Sequence, residues 1–213
     1  MYIAFEGPIG AGKTTLARLL AGQLGSDTQL HLEEFEQNPF LSAFYEDEAR
    51  WALPMQLTFL LDRRRQLGEI APGPGNVIAD HSPLKENVFA PMILRGDELA
   101  LYNQLSRAIR TPGTTPDLLV YVDASTEELL RRIKMRGRDY EKTIEADYLD
   151  RLRDAYDDIF ALRKDLRVLR LDTSTIDLSN DAQMKSLWLQ ILVEADSRSS
   201  TSVAINSAAA DTV

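Results

Sequence analysis

Gly7-Pro8-Ile9-Gly10-Ala11-Gly12-Lys13-Thr14 follows the short apolar run Tyr2-Ile3-Ala4-Phe5 after the single residue Glu6 and opens a helical pattern over residues 14–24. The stretch satisfies G-x-x-x-x-G-K-[ST], the phosphate-binding loop, at all four fixed positions, and an ordinary glycine turn would not need the Lys-Thr pair. Backbone amides freed by the glycines converge on phosphate oxygens, and the following helix aims its positive end at them. In this reading Gly7, Pro8, Ile9, Gly10, Ala11, Gly12, Lys13, Thr14 and Thr15 line a nucleoside triphosphate. Lys13 reaches the β- and γ-phosphates, and the Thr14 hydroxyl ligates the Mg²⁺ that accompanies them.

Outward from this loop, the chain alternates strand and helix. Residues 28–33 read as a strand that ends in Glu33-Glu34-Phe35-Glu36, and 77–80 as a buried strand that ends in Asp80. Apolar or periodic runs give further strands at 118–122 and 167–171. Helices fall within 38–71 (two, the second long, interrupted by Pro54), and at 83–94, 97–110, 125–136, 145–163 and 181–195, with breakers at Thr111-Pro112-Gly113. Tyr148, Tyr156 and Phe160 fall on the apolar stripe of helix 145–163 and read as core. Five strands alternating with helices predict an α/β fold, a five-stranded parallel sheet with helices on both faces, in a strand order that periodicity does not reveal. From Ser197 the chain is rich in Ser, Ala and Thr without a period, so a single domain over 1–196 is followed by a tail, 197–213, that reads as disordered.

Ligands of open α/β sheets bind at the carboxyl ends of the strands, which makes the acids at those ends candidates. An acid of the 33–36 cluster either faces a transferred phosphoryl group or is solvated surface; Asp80 is either a Mg²⁺ partner or a helix cap. Arg131-Arg132-Ile133-Lys134-Met135-Arg136-Gly137-Arg138 carries five basic residues in eight. Arg132 and Arg136 share a helix face and Gly137 lets Arg138 join them. Beside a phosphate loop this reads as an arginine-bearing lid over about 132–144 that stabilises transition-state charge, the alternative being a solvated basic helix end.

Composition narrows the partners. The chain has 213 residues, 44% hydrophobic and 27% charged, without cysteine, and 33 acidic against 24 basic residues give a net charge of −9. Such a surface repels nucleic acid, and no apolar run approaches the ~20 residues of a membrane span. Residue 1 leads straight into the strand and loop, leaving no room for a secretory signal, and nucleotide use points to the cytoplasm.

The residues resemble the deoxynucleoside kinase family, in its bacterial deoxyadenosine/deoxyguanosine kinase branch. The likeness runs from about Tyr2 to Phe160. It rests on Glu6 with the phosphate loop, Glu33 before Asn38-Pro39-Phe40-Leu41, Phe44-Tyr45, Arg50-Trp51, Gln56 with Arg63, Asp80-His81-Ser82, Phe89-Ala90, and Arg136-Gly137-Arg138 with Tyr148-Leu149. The resemblance implies a P-loop kinase that phosphorylates the 5′-hydroxyl of a deoxynucleoside, purine by preference, for nucleotide salvage, with ATP and Mg²⁺, as a homodimer. It implies Glu33 as general base, Tyr45 and Glu141 on the sugar 3′-hydroxyl, Gln56 reading the base with Arg63 and Glu86 as a charged pair behind it, and Arg132, Arg136 and Arg138 as lid arginines. Two departures stand out. Glu33-Glu34 replaces the family's Glu-Pro, leaving Glu34 as a rival base. His81 stands where the family has a phosphate-contacting arginine, and either donates one hydrogen bond or is structural. A thymidylate-kinase-like monophosphate kinase and a silent nucleotide-binding module are the alternatives. A doubly charged acceptor needs arginines whereas a neutral hydroxyl needs a base, so the acidic cluster favours the hydroxyl.

Overall fold

The computed structural model describes residues 1–70, 75–109, 115–176 and 180–208, with side chains described as far as residue 197. Its strands are β1 (Tyr2–Glu6), β2 (Thr28–His31), β3 (Asn76–Ala79), β4 (Leu118–Asp123) and β5 (Val168–Asp172). They form one sheet in the order β2-β3-β1-β4-β5, every pair parallel. Ala4 lies opposite Ala79 on one side and Leu119 on the other, so β1 is the central strand. Parallel pairing forces every connection to cross back over the sheet, and the helices make those crossings.

The helices are α1 (Lys13–Leu24), α2 (Leu41–Glu46), α3 (Glu48–Glu69), α4 (Leu84–Ile93), α5 (Gly96–Ala108), α6 (Thr126–Arg136), α7 (Ala146–Leu162) and α8 (Asp181–Ala208). On one face of the sheet Leu16 and Leu20 of α1, Leu129 and Ile133 of α6, and Leu187 and Ile191 of α8 pack on Ile3, Phe5, Val120 and Val122. On the other, Leu84 and Val88 of α4 and Leu152, Tyr156 and Phe160 of α7 pack on Leu119 and Tyr121, while Leu67 of α3 packs near Tyr2 and Ala4. Strands covered on both faces read as near-continuous apolar runs, and these do.

Several boundaries differ from the sequence reading. Strand β2 stops at His31, so Glu33 and Glu34 lie in the loop beyond it, where Glu33 donates its N–H to the Asp80 carboxylate instead of to a ladder. Pro54 sits inside α3 without ending it, in the second turn. Helix α8 continues in its backbone to Ala208, past the 181–195 read from periodicity. The turn read at Thr111-Pro112-Gly113 and the tail residues 209–213 lie outside the described residues.

The phosphate loop is pressed against β4. A Cβ built on Gly7 would lie 2.0 Å from the Val122 carbonyl oxygen, and Gly7 holds φ at +140°, so neither the space nor the backbone admits a side chain. Gly22 of α1 meets nothing within 4 Å. Gly7→Ala should therefore destabilise by well over ~1 kcal/mol, which lowers Tm by more than about 3 °C at this size. Gly22→Ala should raise stability by roughly 0.5–1 kcal/mol. Thermal melts of the two variants check the contrast, and equal effects would contradict the packing described.

Candidate active site

At the carboxyl edge of β1, β2 and β3 a cavity of about 530 Å³ opens between the phosphate loop, α3, α4 and the segment after α6. Lys13 and Thr14 stand at one end. The Lys13 ammonium donates to the carbonyls of Gly7 and Pro8, both at 2.8 Å. Burial first and then the nearby Lys85 bring its pKa down to about 8. The Thr14 hydroxyl donates to Asp80 Oδ2 at 2.5 Å, and Asp80 Oδ1 accepts from the Glu33 N–H at 2.7 Å. The two residues assigned to Mg²⁺ thus touch each other. A single hydroxyl and a single carboxylate suit an ion that keeps phosphate oxygens and waters as its other ligands. Among the described residues no cluster of three or more His, Cys, Asp or Glu could hold a metal by itself.

Glu33 faces the same cavity. Arg63 grips Oε1 through Nε at 2.9 Å and Nη2 at 2.8 Å, and Lys85 ion-pairs with Oε2. Burial pushes the carboxyl up, but Lys85 and Arg63 outweigh it and hold the group well below the usual carboxylate range. Glu34 turns outward to Arg65. Both acids line the cavity but differ in setting: Glu33 is clamped by two buried cations, whereas Glu34 is half-exposed at its rim and pairs with the exposed Arg65.

Gln56, Met55, Phe44 and Phe59 line the far wall with Arg63. Gln56 Oε1 and Arg63 Nη1 are buried and have no hydrogen-bond partner, leaving one acceptor and one donor in that wall. Arg63 and Glu86 do not form the expected pair. Arg63 goes to Glu33, while Glu86 accepts from Arg64 at 2.6 Å and Ser106 at 3.1 Å, and it does not line the cavity. Successive residues of a helix point about 100° apart, so Arg63, Arg64 and Arg65 of α3 each reach different carboxylates.

The segment after α6 closes the near side. Ser125 caps α6 by accepting from the Glu128 N–H at 3.3 Å, and Gly137, at φ 70°, ends it and turns the chain. Arg136 and Arg138 then converge on Glu141, at 2.6 Å and 3.3 Å, and all three line the cavity. Tyr45 stacks on Tyr140, ring centroids 5.6 Å apart, next to Glu141. Arg132 lies outside the cavity lining: it binds Glu128, the Thr173 hydroxyl and carbonyl, and, at 3.4 Å, the Ala11 carbonyl of the phosphate loop.

Lys85, Tyr140 and the wall position of Tyr148 are not foreseen from the sequence. Tyr148 is only partly buried and lines the cavity, in contrast to its stripe neighbours Tyr156 and Phe160, which are core as expected. Glu6 is fully buried behind the loop and accepts from the Ser82 N–H and hydroxyl, each at 2.7 Å, and from the Tyr156 hydroxyl at 2.8 Å. No sequence pattern singles out Lys85, which stands on the first turn of the helix that follows Asp80-His81-Ser82-Pro83.

His81 is buried, and its Nε2 lies 2.5 Å from Gln66 Oε1, whose amide donates in turn to the Leu32 carbonyl. It does not line the cavity, which favours the structural reading of this position. Burial, ahead of every charge around it, lowers its pKa to about 4 from 6.5. The folded chain thus resists a proton that the unfolded chain accepts, so this contribution to stability is complete above about pH 6.5 and is lost as pH falls toward about 4. His81→Gln should flatten the fall of Tm between pH 6.5 and 4 relative to the unsubstituted chain. Parallel Tm–pH curves would contradict a neutral buried imidazole.

The family model described as deoxynucleoside kinase matches residues 3–191. A deoxyguanosine kinase of Bacillus subtilis (strain 168) is 37% identical over 160 residues, which cover 73% of this chain and 76% of that protein. The deoxyadenosine/deoxycytidine kinase of the same strain is 32% identical over 187 residues, 84% and 85% of the two chains. A solved structure of deoxyadenosine kinase from M. mycoides with bound dATP aligns over 90% of this chain and 99% of that one with a TM-score of 0.76 and 24% identity, a likeness of fold. With the phosphate loop, the clamped acid and the arginines at one sheet edge, the match over most of its length shows that the chain belongs to the deoxynucleoside kinase family.

Proposed function

We propose that this chain phosphorylates the 5′-hydroxyl of a purine deoxynucleoside, deoxyadenosine or deoxyguanosine, and so produces its 5′-monophosphate for nucleotide salvage. The observation that carries the reading is Glu33, an ionised carboxylate clamped by Arg63 and Lys85 in the cavity that the phosphate loop opens into. ATP with Mg²⁺ supplies the transferable phosphoryl group. Lys13 and the loop amides hold its phosphates, Thr14 and Asp80 hold the ion, and Arg136 and Arg138 neutralise charge that develops in transfer. Arg132, which reaches the Ala11 carbonyl, serves the donor side. Glu33 orients the 5′-hydroxyl and takes its proton as the oxygen bonds to phosphorus.

Tyr45 and Glu141 hold the 3′-hydroxyl in this reading. Gln56 Oε1 and Arg63 Nη1, buried and without partners, meet the base edge. Adenine offers a donor at N6 and an acceptor at N7, while guanine offers donors at N1 and N2 and acceptors at O6 and N7, so both suit one acceptor and one donor. Glu86, held by Arg64 and Ser106, supports this wall from behind. Among the described residues no helix is long and apolar enough to cross a membrane. We place the enzyme in the cytoplasm, as a homodimer of one domain over 1–196 with a tail beyond, and sedimentation tests the dimer.

Turnover of the four deoxynucleosides, their ribonucleosides and their monophosphates tests the function. The two purine deoxynucleosides should lead in kcat/KM. A lead for thymidine or deoxycytidine of about tenfold, some 1.4 kcal/mol in the transition state, would remove the purine assignment, and turnover of monophosphates alone would replace the reaction.

For the base, Glu33→Gln should lower kcat by roughly 10²- to 10⁴-fold with little change in nucleoside binding. Glu34→Gln, at a half-exposed surface pair, should change it by less than about threefold. Reversed effects would assign the base to Glu34.

A further inference from the structure

Beside Glu33 lies a buried charge to which the reaction above gives no contact with substrate. Lys85 has a side chain only 7% exposed, ion-pairs with the Glu33 oxygen that Arg63 leaves, and lines the cavity together with Lys13. It stands on the first turn of α4, whose start is tied down: the Leu84 N–H donates to the Ser82 hydroxyl at 3.1 Å, and that hydroxyl donates to buried Glu6 at 2.7 Å. Its ammonium sits 5.8 Å from the ring centroid of Phe89, another cavity-lining residue. Lys85 is also the largest charge acting on the Lys13 ammonium, and both cations line the same cavity. The other basic side chain near the end of β3, His81, gives its ring to Gln66 and does not line the cavity.

This placement matters because the charge on the acceptor oxygen changes during the reaction. In transfer, the 5′-oxygen forms its bond to phosphorus, the bond from phosphorus to the bridging oxygen of the leaving diphosphate breaks, and the hydroxyl proton passes toward Glu33. A neutral hydroxyl beside Glu33 becomes a phosphate monoester carrying about two negative charges at neutral pH. Arg63 spends both its gripping nitrogens on Glu33 Oε1. An ammonium has three donors on a flexible stem and can serve two anions at once.

We propose that Lys85 is a catalytic residue of the acceptor side, its ammonium shared between Glu33 and the phosphoryl group as that group arrives on the 5′-oxygen. It then distinguishes the 5′-monophosphate from the nucleoside, whereas a side chain that only supported Glu33 or the fold would not. The inference rests on the proposed 5′-phosphorylation.

The test is calorimetric binding of deoxyadenosine and deoxyguanosine, each beside its 5′-monophosphate, with kcat, on the unsubstituted enzyme, Lys85→Met, Lys85→Gln and Lys85→Arg, with thermal melts run alongside. Lys85→Gln can still hydrogen-bond Glu33 and guards against misfolding of the Met variant. Expected for both neutral variants are a loss of roughly tenfold or more in monophosphate affinity, a change in nucleoside affinity under about threefold, and a lower kcat, with Lys85→Arg recovering most of each. Equal losses for nucleoside and monophosphate, unchanged monophosphate affinity with a fallen kcat, or an Arg variant as poor as the Met variant would each overturn the role. If the unsubstituted enzyme bound neither nucleoside, the deoxynucleoside reading itself would fall, and Lys85's role with it.

Discussion

The carboxylate of Asp80 joins the two halves of the site. It stands at the end of β3, the strand between β1, which delivers the phosphate loop, and β2, which delivers the acidic loop. One oxygen takes the Thr14 hydroxyl and the other the Glu33 N–H. A single rigid group thereby fixes the phosphate loop relative to the acidic loop, which in the proposed reaction spaces donor phosphates from the acceptor hydroxyl. Effective molarity in a bimolecular transfer depends on such spacing, since a misplacement of about 1 Å can cost a hundredfold in rate. Glu6 adds a second tie at the same edge. Three donors satisfy its carboxylate and hold β1 to Ser82 and to α7, although burial pushes that carboxyl up. Removing any of them would leave a polar group without a partner in the interior.

An acidic chain that handles polyphosphates needs its positive charge concentrated, and the cavity concentrates it. Lys13, Arg18, Arg63, Lys85, Arg136 and Arg138 all line it, six cations beside the five acids Glu33, Glu34, Glu36, Asp80 and Glu141, against a net charge of −9 for the whole sequence. Within the cavity the cations are held by internal carboxylates: Glu33 binds Arg63 and Lys85, and Glu141 binds Arg136 and Arg138. Those pairs preset the geometry of side chains that would otherwise lose rotamer freedom when phosphate binds. Exposed pairs such as Lys142 with Asp139 have no comparable effect, because solvent screens them.

The parts of the site that depend on local sequence are legible in the sequence, and the parts that depend on helix phase are not. A phosphate loop is a backbone device with side chains at fixed offsets, so residues 7–14 announce it. The strand-end positions of Asp80 and Glu33 follow from alternation of strand and helix, although β2 ends two residues earlier than read. The run 63–65 shows the limit. Three adjacent arginines in one helix have identical chemistry, and only tertiary packing sends Arg63 into the cavity, Arg64 to Glu86 and Arg65 to the surface at Glu34 and Glu69. Resemblance pairs Arg63 with Glu86, whereas Glu33 is the closer and more complementary partner. Lys85 escapes notice for a related reason, since a lysine on a helix's first turn carries no pattern until the sheet edge brings a carboxylate to it.

Clamping Glu33 has a chemical consequence. Two cations that hold its carboxyl below the usual range make it a weaker proton acceptor than a free glutamate. In a proton abstraction that needed a strong base this would be a handicap. Phosphoryl transfer passes through a loose transition state in which the attacking oxygen has bonded little to phosphorus, so its proton becomes acidic only late. In the proposed reaction a carboxylate there fixes the direction of the hydroxyl and stays ionised to take the proton late, and Arg63 with Lys85 secures both. Lys85, one of the two cations that weaken Glu33 as a base, is also the group proposed to meet the arriving phosphoryl charge, and in that reading the loss in basicity is offset in the part of the reaction where charge accumulates.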